Sequence, residues 1–97
     1  MIYAIYNGEH IKIGFSNNPK RRLKQLSTGS SLRLRLLTTF QGDKTLEKQI
    51  HQKHQKVRHN GEWFIVTQEL LDYLNMMSSD KWIQIDEDGV VRSYRRM

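Results

Sequence analysis

Residues 1–14, MIYAIYNGEHIKIG, set two alternating segments on either side of Asn7-Gly8, and the reading of this stretch decides the fold. Asn-Gly is the strongest short-range signal for a two-residue type I′ hairpin turn, because both central positions need positive φ. With Asn7 and Gly8 at the centre, Tyr6 faces Glu9, Ile5 faces His10, Ala4 faces Ile11, Tyr3 faces Lys12 and Ile2 faces Ile13. Side chains alternate along a strand, so Ile2, Ala4, Ile11 and Ile13 form an apolar face, while Tyr3, Ile5, His10 and Lys12 share the other. An amphipathic hairpin with a solvated outer face satisfies this pattern. So does a site that handles phosphates, where a phenol beside an amine has a use.

Working outward, 97 residues make one domain, which buries about 65% of the surface its unfolded chain exposes. There is no cysteine, which excludes disulfide partners and Cys-based zinc sites. No apolar run approaches the roughly 20 residues of a membrane helix, and the N-terminus lacks a basic and apolar leader pattern. The expectation is a cytoplasmic protein with no membrane partner. A formal charge of +6 and a pI near 9.8 predict attraction to polyanions that weakens with salt.

Asn18 before Pro19 is a helix start, with Asn as N-cap and Pro at the first helical position, and the helix is expected from Pro19 to Leu26 or Ser27. Leu23 and Leu26 then face the core, while Lys20, Arg21 and Lys24 face solvent. The run Ser27–Ser31 ends that helix. A third strand is expected over Leu32–Phe40, with Leu32, Leu34 and Leu36 inward and Arg33 and Arg35 outward. A second helix spans Leu46 to about Lys56, burying Leu46, Ile50 and Val57 and carrying Glu47, His51 and His54 along a neighbouring stripe. Arg58–Gly61 breaks it, and Glu62–Val66 packs on the sheet or the helix. Thr67 caps a third helix, Gln68 to about Met76. The chain ends in a hairpin of Trp82–Ile85 and Val90–Tyr94 around Asp88-Gly89, with residues 95–97 fraying.

The order of these elements and residues resembles the GIY-YIG nuclease superfamily, in particular its small phage and bacterial members. Ile2-Tyr3 matches the first motif, with Met1 where the name-giving glycine stands, and Lys12-Ile13-Gly14 matches the second. The family arginine falls on Arg22, its metal-binding glutamate on Glu47 in LEKQIH, and GEWF at residues 61–64 closes the likeness. The resemblance covers residues 1–66 as a nuclease core and leaves 67–97 as a C-terminal helix and hairpin extension packed on the same domain. It implies a small α/β (α+β) fold with an antiparallel sheet of about three strands flanked by helices.

It also implies a metal-dependent endonuclease that hydrolyses DNA through one Mg²⁺ or Mn²⁺. A divalent cation that keeps several waters suits a single carboxylate, so Glu47 is the expected metal ligand. Arg22 offers a permanently charged fork for the phosphate. Tyr3 is the implied general base or water-positioning group, although an ordinary phenol at about pKa 10 needs cations or the metal to serve as base. Lys12 stands where the namesake motif has a tyrosine, and a charged amine is better suited to contact phosphate or to lower the proton affinity of Tyr3. Lys20, Arg21, Lys24, Arg33 and Arg35 are the expected contacts to the DNA backbone. His10, His51 and Glu62 are accessory candidates, each with a plain surface or structural role as the alternative. Two other readings compete: a nucleic-acid-binding module without catalysis, and a zinc site of Glu47, His51 and His54.

Overall fold

Strand β1 (Ile2–Tyr6) has all five side chains buried, as expected of a strand paired on both edges and covered on both faces. The computed structural model describes residues 1–96. After β1 come β2 (His10–Phe15), α1 (Pro19–Ser27), β3 (Arg35–Phe40) and α2 (Lys44–Lys53). A short 3₁₀ turn, Gln55–Val57, then leads to β4 (Arg58–Asn60), β5 (Trp63–Ile65), α3 (Gln68–Met77), β6 (Lys81–Ile85) and β7 (Val91–Arg95). The result is a small α+β fold. Its five-stranded antiparallel sheet has the order β3-β1-β2-β5-β4, and β6 and β7 form a separate two-stranded ribbon. The sheet exceeds the expected three strands because Arg58–Ile65 folds as a second hairpin against β2.

The first hairpin differs from its expected register by two residues. Tyr3 pairs with Gly14, Ala4 with Ile13, Ile5 with Lys12 and Tyr6 with Ile11. The cause lies in the turn. Asn7 does not take positive φ; only Gly8 does, at +97°. The Asn7 side-chain oxygen instead accepts from the backbone N–H of Glu9 at 2.9 Å and of His10 at 2.7 Å. Asn7 thus acts as an Asx cap, which moves the turn centre to Gly8-Glu9. A shift of two preserves every side chain's face. Ile2, Ala4, Ile11 and Ile13 accordingly sit in one core with Ile50 of α2, Phe64 of β5, Leu70, Leu71 and Leu74 of α3 and Ile83 of β6.

Strand β3 begins at Arg35, leaving Leu32 outside it and exposed, contrary to the expected alternation from Leu32. Between Ala4 and Ile5 the pairing slips from Thr38 to Leu36. That bulge sends Leu37 into the main core while Leu36 pairs with Ile5 on the opposite face.

The helix caps follow the local sequence. The side chains of Asn18, Asp43 and Thr67 accept from the N–H groups of Arg21, Leu46 and Leu70 at the starts of α1, α2 and α3. Asp43 starts α2 at Lys44, earlier than expected, and the helix ends at Lys53 with His54 as its C-cap. Helix α1 packs against β1 and β3, covering the face where Tyr3 and Ile5 are buried. Arg95 ends β7 and the Arg96 N–H donates to Asp80 O at 3.0 Å, so residues 95 and 96 do not fray; Met97 lies outside the described residues. No helix of the described residues is long and apolar enough to cross a membrane.

Candidate functional site

The phenol of Tyr3 gathers the site. Its ring lies over Gly14, where an added Cβ would collide with the phenolic oxygen and stand 2.8 Å from Glu62 Oε2. Glycine therefore opens the space in which a phenol from β1 and a carboxylate from the β4–β5 turn approach each other. Gly61, at φ +58°, makes that turn. The next residue is anchored by its own backbone, since Glu62 O accepts from Ile13 N–H at 3.0 Å.

Helix α1 brings Arg22 to the same point, and Glu47 approaches from the first turn of α2. Burial pushes the Tyr3 phenol above its ordinary value. The Arg22 guanidinium beside it pulls it down, Glu62 and Glu47 push it up, and the net direction is upward. Tyr3 is thus neutral at neutral pH and ready to donate a hydrogen bond. Of the cations expected to lower its proton affinity, Arg22 acts in that direction here, against burial and two carboxylates.

Lys12 does not sit directly across from Tyr3, because the register shift gives that position to Gly14. It remains on the same face, paired with Ile5 on one side and Trp63 on the other. Its ammonium meets Glu62 Oε2 at 3.9 Å and lies 5.5 Å from the centre of the Trp63 ring. With Glu62 two-fifths exposed, such a pair contributes under about 1 kcal/mol. It orients both groups rather than holding the fold.

Tyr3, Lys12, Arg22, Glu47 and Glu62 are therefore neighbours. Arg22 makes no ion pair among the described residues and is exposed. It is the free cation of the cluster. Lys20, Arg21 and Lys24 are exposed along α1, as are Arg33 and Arg35 before and at the start of β3.

The histidines have other engagements. His51 Nε2 donates to the carbonyl of Ile13 at 2.8 Å, and its ring tilts against Phe64, tying α2 to β2. His10 stacks on His59 with ring centres 4.0 Å apart. His54 is buried, its Nδ1 donating to Ile50 O at 3.1 Å. No group of three His, Asp or Glu among the described residues can hold a metal, so Glu47, His51 and His54 do not form the zinc site that their helical spacing suggests. The geometry also gives Gly14 a role that sequence reasoning had not assigned to it. Its signal was the glycine after Lys12-Ile13.

A family model described as the T5orf172 domain matches residues 1–92. It is a different family from GIY-YIG, and the resemblance built on Ile2-Tyr3, Lys12-Ile13-Gly14 and residues 61–64 is corrected accordingly. No significant match is found among curated proteins or among solved structures.

Proposed function

This chain belongs to the T5orf172 domain family, and from its site we propose that it binds nucleic acid and hydrolyses phosphodiester bonds in DNA with the help of a divalent metal. The observation that carries the reading is the gathering of Arg22, Glu47 and Glu62 around the Tyr3 phenol, with Lys12 paired to Glu62, beside a helix whose Lys20, Arg21 and Lys24 are all exposed. A formal charge of +6 supports a polyanionic partner.

The donor set fits Mg²⁺ or Mn²⁺ held through water. Glu47 is a hard-oxygen ligand, half-buried at the edge of the cluster, with no further pair of metal-binding side chains among the described residues to close a cage. When bound, the cation supplies charge stabilisation to the phosphate oxygens and a more acidic water. Arg22 clamps two phosphate oxygens through its planar fork. Tyr3 donates a hydrogen bond that positions the phosphate or the attacking water, and Lys12, held by Glu62, adds a second positive charge at the floor.

A second reading is binding without cleavage, in which the exposed Lys20, Arg21 and Lys24 of α1 hold the phosphate backbone and the cluster adds only phosphate contacts. One assay separates the two. Labelled DNA is incubated with Mg²⁺ and with wild-type or Glu47→Ala protein. Metal-dependent cleavage that disappears in the variant supports hydrolysis; salt-sensitive binding with no cleavage by either protein supports the second reading. Cleavage that survives Glu47→Ala would remove the metal from Glu47.

A further inference from the structure

The ribbon of β6 and β7 turns one face inward and leaves the other open. Ile83, Ile85 and Val91 pack on the core. On the opposite face Trp82 and Tyr94 are register partners, 43% and 52% exposed. Two large aromatic side chains paired side by side in water forgo the burial that usually stabilises such residues, a sign of a surface that meets a partner. The Arg96 guanidinium lies 5.3 Å from the centre of the Trp82 ring and also donates to the carbonyl of Asn75, so the indole is held against a fixed cation. Gln84 and Arg92 continue the same face toward the turn.

We propose that the exposed Trp82–Tyr94 pair is a stacking platform for unpaired bases of a nucleic-acid strand whose backbone runs on to helix α1. Planar aromatic rings beside arginines fit a nucleobase, since every base has a π-face and base–aromatic stacking is tolerant of sequence. In a duplex those faces are already stacked, so the platform selects single-stranded or frayed segments.

Charge sets the direction of the strand. Lys81, Arg95 and Arg96 lie at the aromatic end of the ribbon, whereas Asp86, Glu87 and Asp88 collect at the opposite end, in the turn. The aromatic end also adjoins the start of α1. A cavity of about 320 Å³ is lined by Asn17, Asn18 and Lys20 on one side and Asp80 and Lys81 on the other. A backbone leaving the platform near Lys81 is thereby brought to Lys20 at the start of α1.

The inference rests on the nucleic-acid reading, and its test keeps the two apart. Fluorescence anisotropy of a labelled short oligothymidylate, with the duplex of equal length as competitor, measures affinity. Ultraviolet cross-linking of the same strand carrying bromouracil, followed by peptide mapping, locates the contact. The expected results are adducts on Trp82 or Tyr94 and single-strand affinity about tenfold weaker in Trp82→Ala. Partial recovery is expected in Trp82→Phe, with both variants folded by circular dichroism. Strand binding with adducts only elsewhere, or with affinity unchanged in a folded Trp82→Ala, overturns the platform alone. No binding to any nucleic acid overturns the nucleic-acid reading as well. A concentration-dependent dimer that Trp82→Ala abolishes, with no adduct on the ribbon, assigns the face to a second copy of the chain and overturns the platform.

Discussion

The phenol of Tyr3 occupies space that a side chain on Gly14 would need, with only 2.5 Å between Tyr3 Cζ and a Cβ placed there. The contact joins two neighbouring strands through a residue with no side chain. It also explains why the second strand of the hairpin carries a buried glycine in its interior, where glycine is otherwise unfavourable.

Gly14→Ala is expected to destabilise the fold by about 1–3 kcal/mol, because the Tyr3 ring must move within packed surroundings. In Tyr3→Ala the ring is gone, and the same glycine substitution should cost far less. A double-mutant cycle by urea unfolding measures the difference; simple additivity would refute the contact.

Glu62 acts on both Tyr3 and Lys12. Glu62→Gln removes one of the charges that raise the phenol, so the Tyr3 pKa should fall. The ion pair it loses is long, at 3.9 Å, and its carboxylate is two-fifths exposed, so stability should stay within about 1 kcal/mol of wild type. Spectrophotometric titration of tyrosinate absorbance, compared with Tyr3→Phe to identify the transition, reads the first quantity, and thermal unfolding reads the second.

Alkaline stability follows from the same burial. The phenols of Tyr3, Tyr6 and Tyr73 are all raised, with burial as the leading cause in each. The unfolded chain loses these protons first, near pH 10, so their contribution is fully present below about pH 10 and is lost as the pH rises through the higher folded values. Urea midpoints measured from about pH 8 to about pH 11 should decline steeply in wild type and less steeply in Tyr3→Phe.

Asn75 of α3 holds the ribbon to the core. Its side chain accepts from Ile83 N–H at 2.7 Å and donates to Ile83 O at 2.8 Å, with all partners buried. Asn75→Ala leaves both backbone groups unpaired and should cost about 2–4 kcal/mol by urea unfolding. Asn75→Asp, which keeps only the acceptor, should still lose the bond to Ile83 O.

Replacing Lys20, Arg21 and Lys24 together by alanine should weaken DNA binding and flatten its salt dependence. Every phosphate that these side chains no longer neutralise lowers the slope of log affinity against log salt by about 0.7–0.9. Affinity measured over a salt series gives that slope directly; a reduced affinity at unchanged slope would show that these side chains do not meet phosphates.

Much of the local structure was legible in the chain because it rests on short-range chemistry. Asn18-Pro19 and Thr67 began helices where their side chains can accept backbone bonds. The face occupied by Ile2, Ala4, Ile11 and Ile13 survived even though the register did not, since a shift of two residues leaves parity intact. The register itself was not legible. It depended on whether the Asn7 side chain would cap the turn or its backbone would enter positive φ, and the side chain caps it.

Residues adjacent in the chain were enough to settle the alternation of β1 and β2, the helix starts, the positive charge and the residue types available for a phosphate site. Each of these is a property of composition or of near neighbours. Folding in three dimensions was needed to put Gly14 rather than Lys12 across from Tyr3, to bring Glu62 beside them, and to extend the sheet to five strands through Arg58–Ile65. It also turned Trp82 and Tyr94 toward water. These relationships join residues far apart in the chain, and their energies come from packing and desolvation. Neither is expressed until the elements meet.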